Sequence, residues 1–306
     1  MNKIIVSAPG KLMLLGEHAV VYGYPSLVTA VGERLTVEVE KILEDRIVVD
    51  APQSGDTRFV DEAVLQAQRQ WKIPSGGFRI KTESNFSGKY GFGSSAAVTA
   101  ATLKALTALF NAKVDNKALF DLAYAITLKI QGVGSGFDVV AATYGGTLYF
   151  VTGGKTIEPL EINNPPLIVA YSGVKSSTVE MVKMVADKRI KYPDKVDRIF
   201  RGVAKLVDET KQRMLDGDWE RVGRLMDFNQ EYLRDLGVSS EKLETLISAA
   251  KKAGAWGAKL SGGGGGDCMI ALGPIDKREA IQKAITEAGG QIIDVHANAQ
   301  GVRIEL

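Results

Sequence analysis

Gly91-Phe92-Gly93-Ser94-Ser95-Ala96-Ala97 runs without a break into an alanine-rich stretch, Ala96 to Phe110, and the reading of the chain turns on this segment. Alanine and leucine favour a helix there, and a serine pair at its start is a good N-terminal signal. Glycines ahead of it let a backbone approach another group closely. Amides at a helix start point at an anion with the favourable end of the helix dipole. The two hydroxyls could add hydrogen bonds, or hold a magnesium ion that bridges phosphates. A capped helix behind a plain turn accounts for the same residues, and short glycine patterns are common, so this segment alone leaves both open. Two other phosphate loops are excluded. No GxxxxGK[ST] occurs, and no apolar strand enters the loop with an acidic residue at the downstream position that a dinucleotide fingerprint needs.

Working outward toward the N-terminus, Gly77 to Glu83 alternates like a half-buried strand and Asp61 to Trp71 is helical in period. Leu35 to Val39, Leu27 to Val31, Leu12 to Leu15 and Ile4 to Ser7 read as strands, the last two separated by a loop at Ala8-Pro9-Gly10-Lys11. Toward the C-terminus, a helix over Ala118 to Ile130 ends at the loop Gly132 to Phe137, and Thr147 to Val151 is a strand. Pro165 and Pro166 break the chain, which places a domain boundary there, giving 1–164 and 165–306. Beyond it Ser177 to Lys191, Asp194 to Leu215, Trp219 to Leu233, Ser240 to Ala253 and Lys277 to Ala288 are helical in period. Leu167 to Tyr171, Ala258 to Ser261, Met269 to Leu272, Gln291 to Val295 and Val302 to Leu306 read as strands. The expected fold class is α+β, in two domains.

Bulk composition narrows the function. A formal net charge of +2 over 306 residues gives little long-range field, so neither nucleic acid nor a membrane surface is expected as a partner. One cysteine, Cys268, permits no internal disulfide and fits a reducing, cytoplasmic setting. With only His18 and His296, a histidine-rich metal cage is excluded, and any metal would be held by oxygen. The 33 glycines are clustered rather than spread, as in turns that something approaches closely.

Three further clusters stand out. Lys259-Leu260-Ser261 leads into five consecutive glycines, Gly262 to Gly266, then Asp267 and Cys268. Ordering five glycines costs much conformational entropy, and a hairpin needs only one or two, so this loop is expected to wrap a ligand or another backbone. Pro9-Gly10-Lys11 precedes Gly16-Glu17-His18, and a lysine there could stabilise negative charge developing in phosphoryl transfer, though a lone lysine is usually a solvated one. Gly132-Val133-Gly134-Ser135-Gly136-Phe137-Asp138 delivers a carboxylate into an apolar segment. With a lysine partner it could stay ionised and accept a hydroxyl proton; by itself it would read as a turn or cap aspartate.

In order and spacing the four clusters together resemble the GHMP kinase superfamily, over essentially the whole chain. Residues 8–23, APGKLMLLGEHAVVYG, are similar to the first motif of its mevalonate kinase branch; GFGSSAA resembles the shared ATP-phosphate motif and GAKLSGGGGGDC the third motif. The resemblance implies an N-terminal domain like ribosomal protein S5 domain 2 and a ferredoxin-like C-terminal domain, with the active site between them and MgATP as donor. It implies Asp138 as catalytic base and Lys11 paired with it. Lys89, Gly91, Gly93, Ser94, Ser95 and Ala96 would bind ATP phosphates, Ser95 also touching Mg2+. Glu17, His18, Ser135, Gly262 and Gly263 would line the acceptor pocket, Gly262 to Gly265 also buttressing the phosphate loop.

The acceptor implied is the 5-hydroxyl of mevalonate, with 5-phosphomevalonate as the alternative. Residues 131–146, QGVGSGFDVVAATYGG, resemble the central motif of phosphomevalonate kinases, and Lys89 and Asp267 are also similar to that branch. Mevalonate kinases usually carry a magnesium-binding glutamate where Thr127 stands. A non-catalytic ATP sensor would be expected to lack the lysine or the aspartate, and both are present. A nicotinamide oxidoreductase fails on the missing fingerprint. A homodimer is compatible with all of this.

Overall fold

Residues 4–7 and 12–15 form one strand, Lys3–Leu15 (β1), instead of two strands around a loop. The cause is its neighbour. Pro25–Ile42 (β2) pairs antiparallel with β1 along most of its length, merging 27–31 and 35–39 in the same way. The expected loop survives only as a register shift between Pro9 and Gly10, where proline has no amide hydrogen to offer the ladder. Lys11 therefore leaves a strand inside a sheet, which fixes its backbone.

The computed structural model describes residues 2–162 and 165–305. The expected boundary at 164/165 and the end of the strand expected at 302–306 fall partly outside them. Ile47–Asp50 (β3) has no clear alternating pattern and pairs parallel with Gly77–Ser84 (β4), which in turn pairs with β2. Thr147–Val151 (β5) pairs with the first part of β2 and with Thr156–Leu160 (β6).

Four helices cover this sheet or one another. Arg58–Trp71 (α1) buries Phe59, Val60, Ala63, Val64 and Ala67, a stripe at helical spacing. Ser94–Leu109 (α2) is buried nearly all round, and its alanines and threonines let it pack closely on β1 and β2. Asn116–Gln131 (α3) and Phe137–Tyr144 (α4) pack against α2, and α4 also reaches β1.

The second sheet is antiparallel: Leu167–Tyr171 (β7), Gly257–Ser261 (β8), Cys268–Leu272 (β9) and Gln291–Ile293 (β10), in the order β10-β7-β9-β8. Of the helices Thr178–Lys191 (α5), Pro193–Leu215 (α6), Trp219–Leu236 (α7), Glu241–Lys252 (α8) and Arg278–Glu287 (α9), α7, α8 and α9 pack on this sheet, while α6 packs on α7 and on β2 and α5 packs on α6. Among the described residues the last strand, Arg303–Ile304 (β11), returns to pair with β1, which gives the first sheet seven strands. The sheets meet where β1 ends. There Ser261 Oγ accepts from the Met13 amide at 3.1 Å and donates to the Met13 carbonyl at 2.9 Å. Both glycine-rich turns hang from this seam.

Candidate active site

Gly91 and Gly93 both have positive φ, +71° and +81°, so the turn between Tyr90 and α2 adopts a conformation that L side chains rarely take. A Cβ on Gly93 would lie 3.2 Å from Lys11 Cε and 3.4 Å from Asp138 Cβ. The bare α-carbon of Gly93 thus lets the lysine from β1 and the aspartate from the start of α4 close on one point. The Gly93 carbonyl then accepts from the Ala97 amide as the first bond of α2.

Lys11 is buried. Its ammonium donates to the Gly91 carbonyl at 2.6 Å and lies 4.9 Å from the centre of the Phe137 ring. It donates to this carbonyl rather than directly to Asp138, whose charge reaches it through space. Burial lowers the Lys11 pKa, and the carboxylates of Asp138 and Asp267 pull it part of the way back. Asp138 Oδ1 accepts from the Val139 amide at 3.0 Å, which fixes one oxygen. The Gly132–Gly136 loop ahead of it is pinned by Tyr124. Its hydroxyl donates to the Gly134 carbonyl at 2.9 Å, and its ring covers the bare α-carbon of Gly136. Nothing in the sequence singled out Tyr124, which reads as one more aromatic in an amphipathic helix.

Lys11, Gly93, Gly134, Phe137 and Asp138 line a cavity of about 320 Å³ together with Glu17, His18, Gly91, Ser94, Ser95, Thr127, Ser135, Gly262 and Gly263. Most of the expected site residues are therefore brought together. Two are not. Ala96 is buried in α2. Lys89 is exposed and does not line the cavity, although Gly88 before it does, and Tyr90 after it packs on Phe92 and Tyr171. The cavity instead contains Lys175, from the segment between β7 and α5. A second cavity of about 260 Å³ shares Gly88, Ser94 and Ser95 with the first and continues past Leu35, Phe59, Phe86 and Val98.

Glu17 and His18 are held from behind. Glu17 is fully buried in an ion pair with Lys259 of β8, and Asn229 of α7 donates to its other oxygen at 3.0 Å. His18 has φ +61° and is buried, with Nε2 2.9 Å from the Gly263 carbonyl. A carbonyl only accepts, so Nε2 carries the hydrogen and Nδ1 is left as an acceptor. Burial depresses the His18 pKa to about 4, so the ring is neutral near pH 7.

The glycine run does not support the Gly91–Ser95 turn directly. Gly264, Gly265 and Gly266 press on the Val238 carbonyl, the Ser176 hydroxyl and the Val174 carbonyl. This loop does wrap another backbone. The residue that reaches the Gly91–Ser95 turn is Asp267, whose Oδ2 would lie 2.6 Å from a Cβ on Gly91. Thr127 is buried and its hydroxyl donates to the Ala123 carbonyl at 2.9 Å. Beyond it, Gln131 Nε2 donates to Ser95 Oγ at 3.4 Å.

The family described as GHMP kinases N terminal domain matches residues 58–146, and GHMP kinases C terminal matches 203–291. The chain belongs to the GHMP kinase family. It is an ATP-dependent kinase of that family's two-domain α+β fold. It is 32% identical to the mevalonate kinase of Thermococcus gammatolerans over 99% of this chain and 98% of that protein. It is 34% identical to that of Archaeoglobus fulgidus over 99% of this chain and all of the relative. The crystal structure of L. major mevalonate kinase in complex with R-mevalonate superposes with a TM-score of 0.83 at 26% identity, covering 98% of this chain and 96% of that one. No helix among the described residues is long and apolar enough to cross a membrane.

Proposed function

We propose that this kinase transfers the terminal phosphoryl group of ATP to the 5-hydroxyl of mevalonate. The observation that carries the reading is the convergence of Lys11 and Asp138 on Gly93, at the start of α2. The amides of that turn and the hydroxyls of Ser94 and Ser95 would hold the phosphates. The neighbouring cavity past Phe59, Phe86 and Val98 has room and apolar walls for the base. Asp138 would take the proton of the acceptor hydroxyl. The oxygen then forms its bond to the terminal phosphorus as the bond to the bridging oxygen breaks and ADP leaves. Lys11 would stabilise the negative charge spread over the transferred group, in a site that burial makes poorly screened.

Magnesium fits this site as an ion carried largely by the nucleotide. Among the described residues no group of three or more His, Cys, Asp or Glu side chains could hold a metal, and Thr127 supplies no carboxylate. Ser95 would be its protein ligand, and magnesium keeps waters readily. When bound, the ion would neutralise charge on the phosphates.

Full-length similarity to mevalonate kinases supports mevalonate as acceptor. The neutral His18 supports it too, since Nδ1 suits a hydroxyl donor better than a second phosphate. Lys89, the cation that would favour a phosphorylated acceptor, is exposed outside the cavity. ADP release measured side by side with mevalonate and 5-phosphomevalonate tests the reading. Faster turnover with mevalonate is expected. Preference for 5-phosphomevalonate would move the acceptor, and nucleotide binding without ADP release would mean a sensor.

A further inference from the structure

Lys175 enters the cavity from the segment between β7 and α5, and the motifs of the site do not account for it. Its Nζ donates to Asp267 Oδ1 at 3.2 Å while half of its side chain remains exposed. An ammonium has three hydrogens, and Asp267 takes one, so two are free to meet a ligand. Asp267 is nearly buried. Its Oδ1 also accepts from the Ser176 amide at 3.1 Å, and its Oδ2 lies against Gly91. The backbone holds it in a left-handed conformation, φ +55°, with its amide donating to Val174 and its carbonyl accepting from Ser172. The carboxylate is thus fixed between two lysines, Lys11 and Lys175, both of which feel its charge.

Charge makes this arrangement informative. The ionisable groups around the phosphate turn are Lys11 and Lys175 against Asp138 and Asp267, which cancel. Without Lys175 the cavity would present a net negative charge to a polyphosphate. A kinase that places Asp267 against its phosphate turn needs a second cation at the same place, and Lys89 lies outside.

We propose that Lys175 is a second phosphate-binding cation of this site, held in place by Asp267 and donating to the terminal phosphate of the bound nucleotide. It rests on the reading that the Gly91–Ser95 turn holds the phosphates. The position favours the nucleotide over the acceptor, because Asp267 touches Gly91 whereas the acceptor side of the cavity is marked by His18 and Gly263. Lys175 differs from Lys11 in being exposed. It adds an anion contact and need not touch the attacking oxygen.

The test is titration of ADP and of a non-hydrolysable ATP analogue, with magnesium in excess, into the full-length protein and three variants. Lys175→Met is expected to weaken the analogue about tenfold, as for one charged hydrogen bond, and to change ADP less than about twofold. Lys175→Arg should recover most of the loss. Asp267→Asn keeps the hydrogen bond to Ser176 but removes a negative charge, so it should bind the analogue at least as tightly as the unaltered chain. Mevalonate affinity without nucleotide should be the same in all. Equal weakening of ADP and the analogue, an effect confined to mevalonate, or equal losses in Lys175→Met and Asp267→Asn would each overturn the proposal while leaving the phosphate turn in place. If the unaltered chain bound neither nucleotide, the reading of the turn would fall as well. Thermal midpoints of the variants identify any that fails to fold.

Discussion

Two of the chain's glycine-rich turns, 91–93 and 262–266, look alike in sequence and do different physical work. At Gly93 the missing side chain leaves space that Lys11 and Asp138 share, and the turn opens onto a cavity. At Gly264 and Gly266 the missing side chains are filled by backbone, the carbonyls of Val238 and Val174. One turn is bare where Lys11 and Asp138 converge beside a cavity; the other is bare so that two segments of the second sheet's domain can touch. The comparison teaches that glycine clustering marks close approach without saying whether a ligand or the protein itself approaches.

Substitutions should separate the two turns. The largest effect belongs to the first turn and its partners: Asp138→Asn should lower kcat by about a thousandfold while the nucleotide still binds, read by steady-state ADP release and by titration. Gly93→Ala comes next. The added methyl meets Lys11 and Asp138 at 3.2 and 3.4 Å, so both must shift, and turnover should fall about a hundredfold for a stability cost of about 1 kcal/mol. The second turn should show the reverse. In Gly264→Ala the methyl would sit 2.3 Å from the Val238 carbonyl oxygen at φ +82°, which should cost about 3 kcal/mol in denaturant unfolding. Turnover per folded molecule should change little. Comparable losses of turnover in both glycine variants would erase the distinction.

The smallest effect is a pH dependence carried by His18, which links the second turn to the cavity. Its pKa is depressed to about 4 in the folded chain, below its ordinary value of 6.5. The unfolded chain therefore binds the extra proton first. Stability is fully present above pH 6.5 and is lost as pH falls toward 4, by about 1 kcal/mol between pH 6.5 and 5.5. His18→Gln should flatten that part of the unfolding profile relative to the unaltered chain; an unchanged slope would show that His18 is not buried neutral.

Much of the fold was legible because local rules and the tertiary structure agree. The α2 helix and the strand Thr147–Val151 match the pattern in the sequence closely. The N-terminal region was misread for a physical reason: Pro9-Gly10 is a turn signal, but β2 is long enough to hold both halves in one ladder. The parallel strand β3 was illegible because Ile47-Val48-Val49-Asp50 is only four residues long and half exposed. In the site, Lys11, Asp138, Ser94, Ser95, His18 and Ser135 were legible through motifs, and the structure brings them to one cavity. Lys175 and Tyr124 were not, since Lys175 is placed by Asp267 far along the chain and Tyr124 by Gly134 and Gly136 of the loop after its own helix, contacts that no motif records. The Lys259–Glu17 pair could have been suspected from a lysine inside an otherwise apolar strand, because a charge buried there needs a partner.

The most direct test is a crystal structure with a non-hydrolysable ATP analogue and mevalonate bound together. The terminal phosphate should lie over the Gly91–Ser95 turn, within hydrogen-bonding reach of the Lys11 ammonium, with the acceptor hydroxyl against Asp138. A nucleotide whose phosphates lie along the Gly262–Gly266 run, away from Lys11 and Asp138, would contradict the assignment of the two turns.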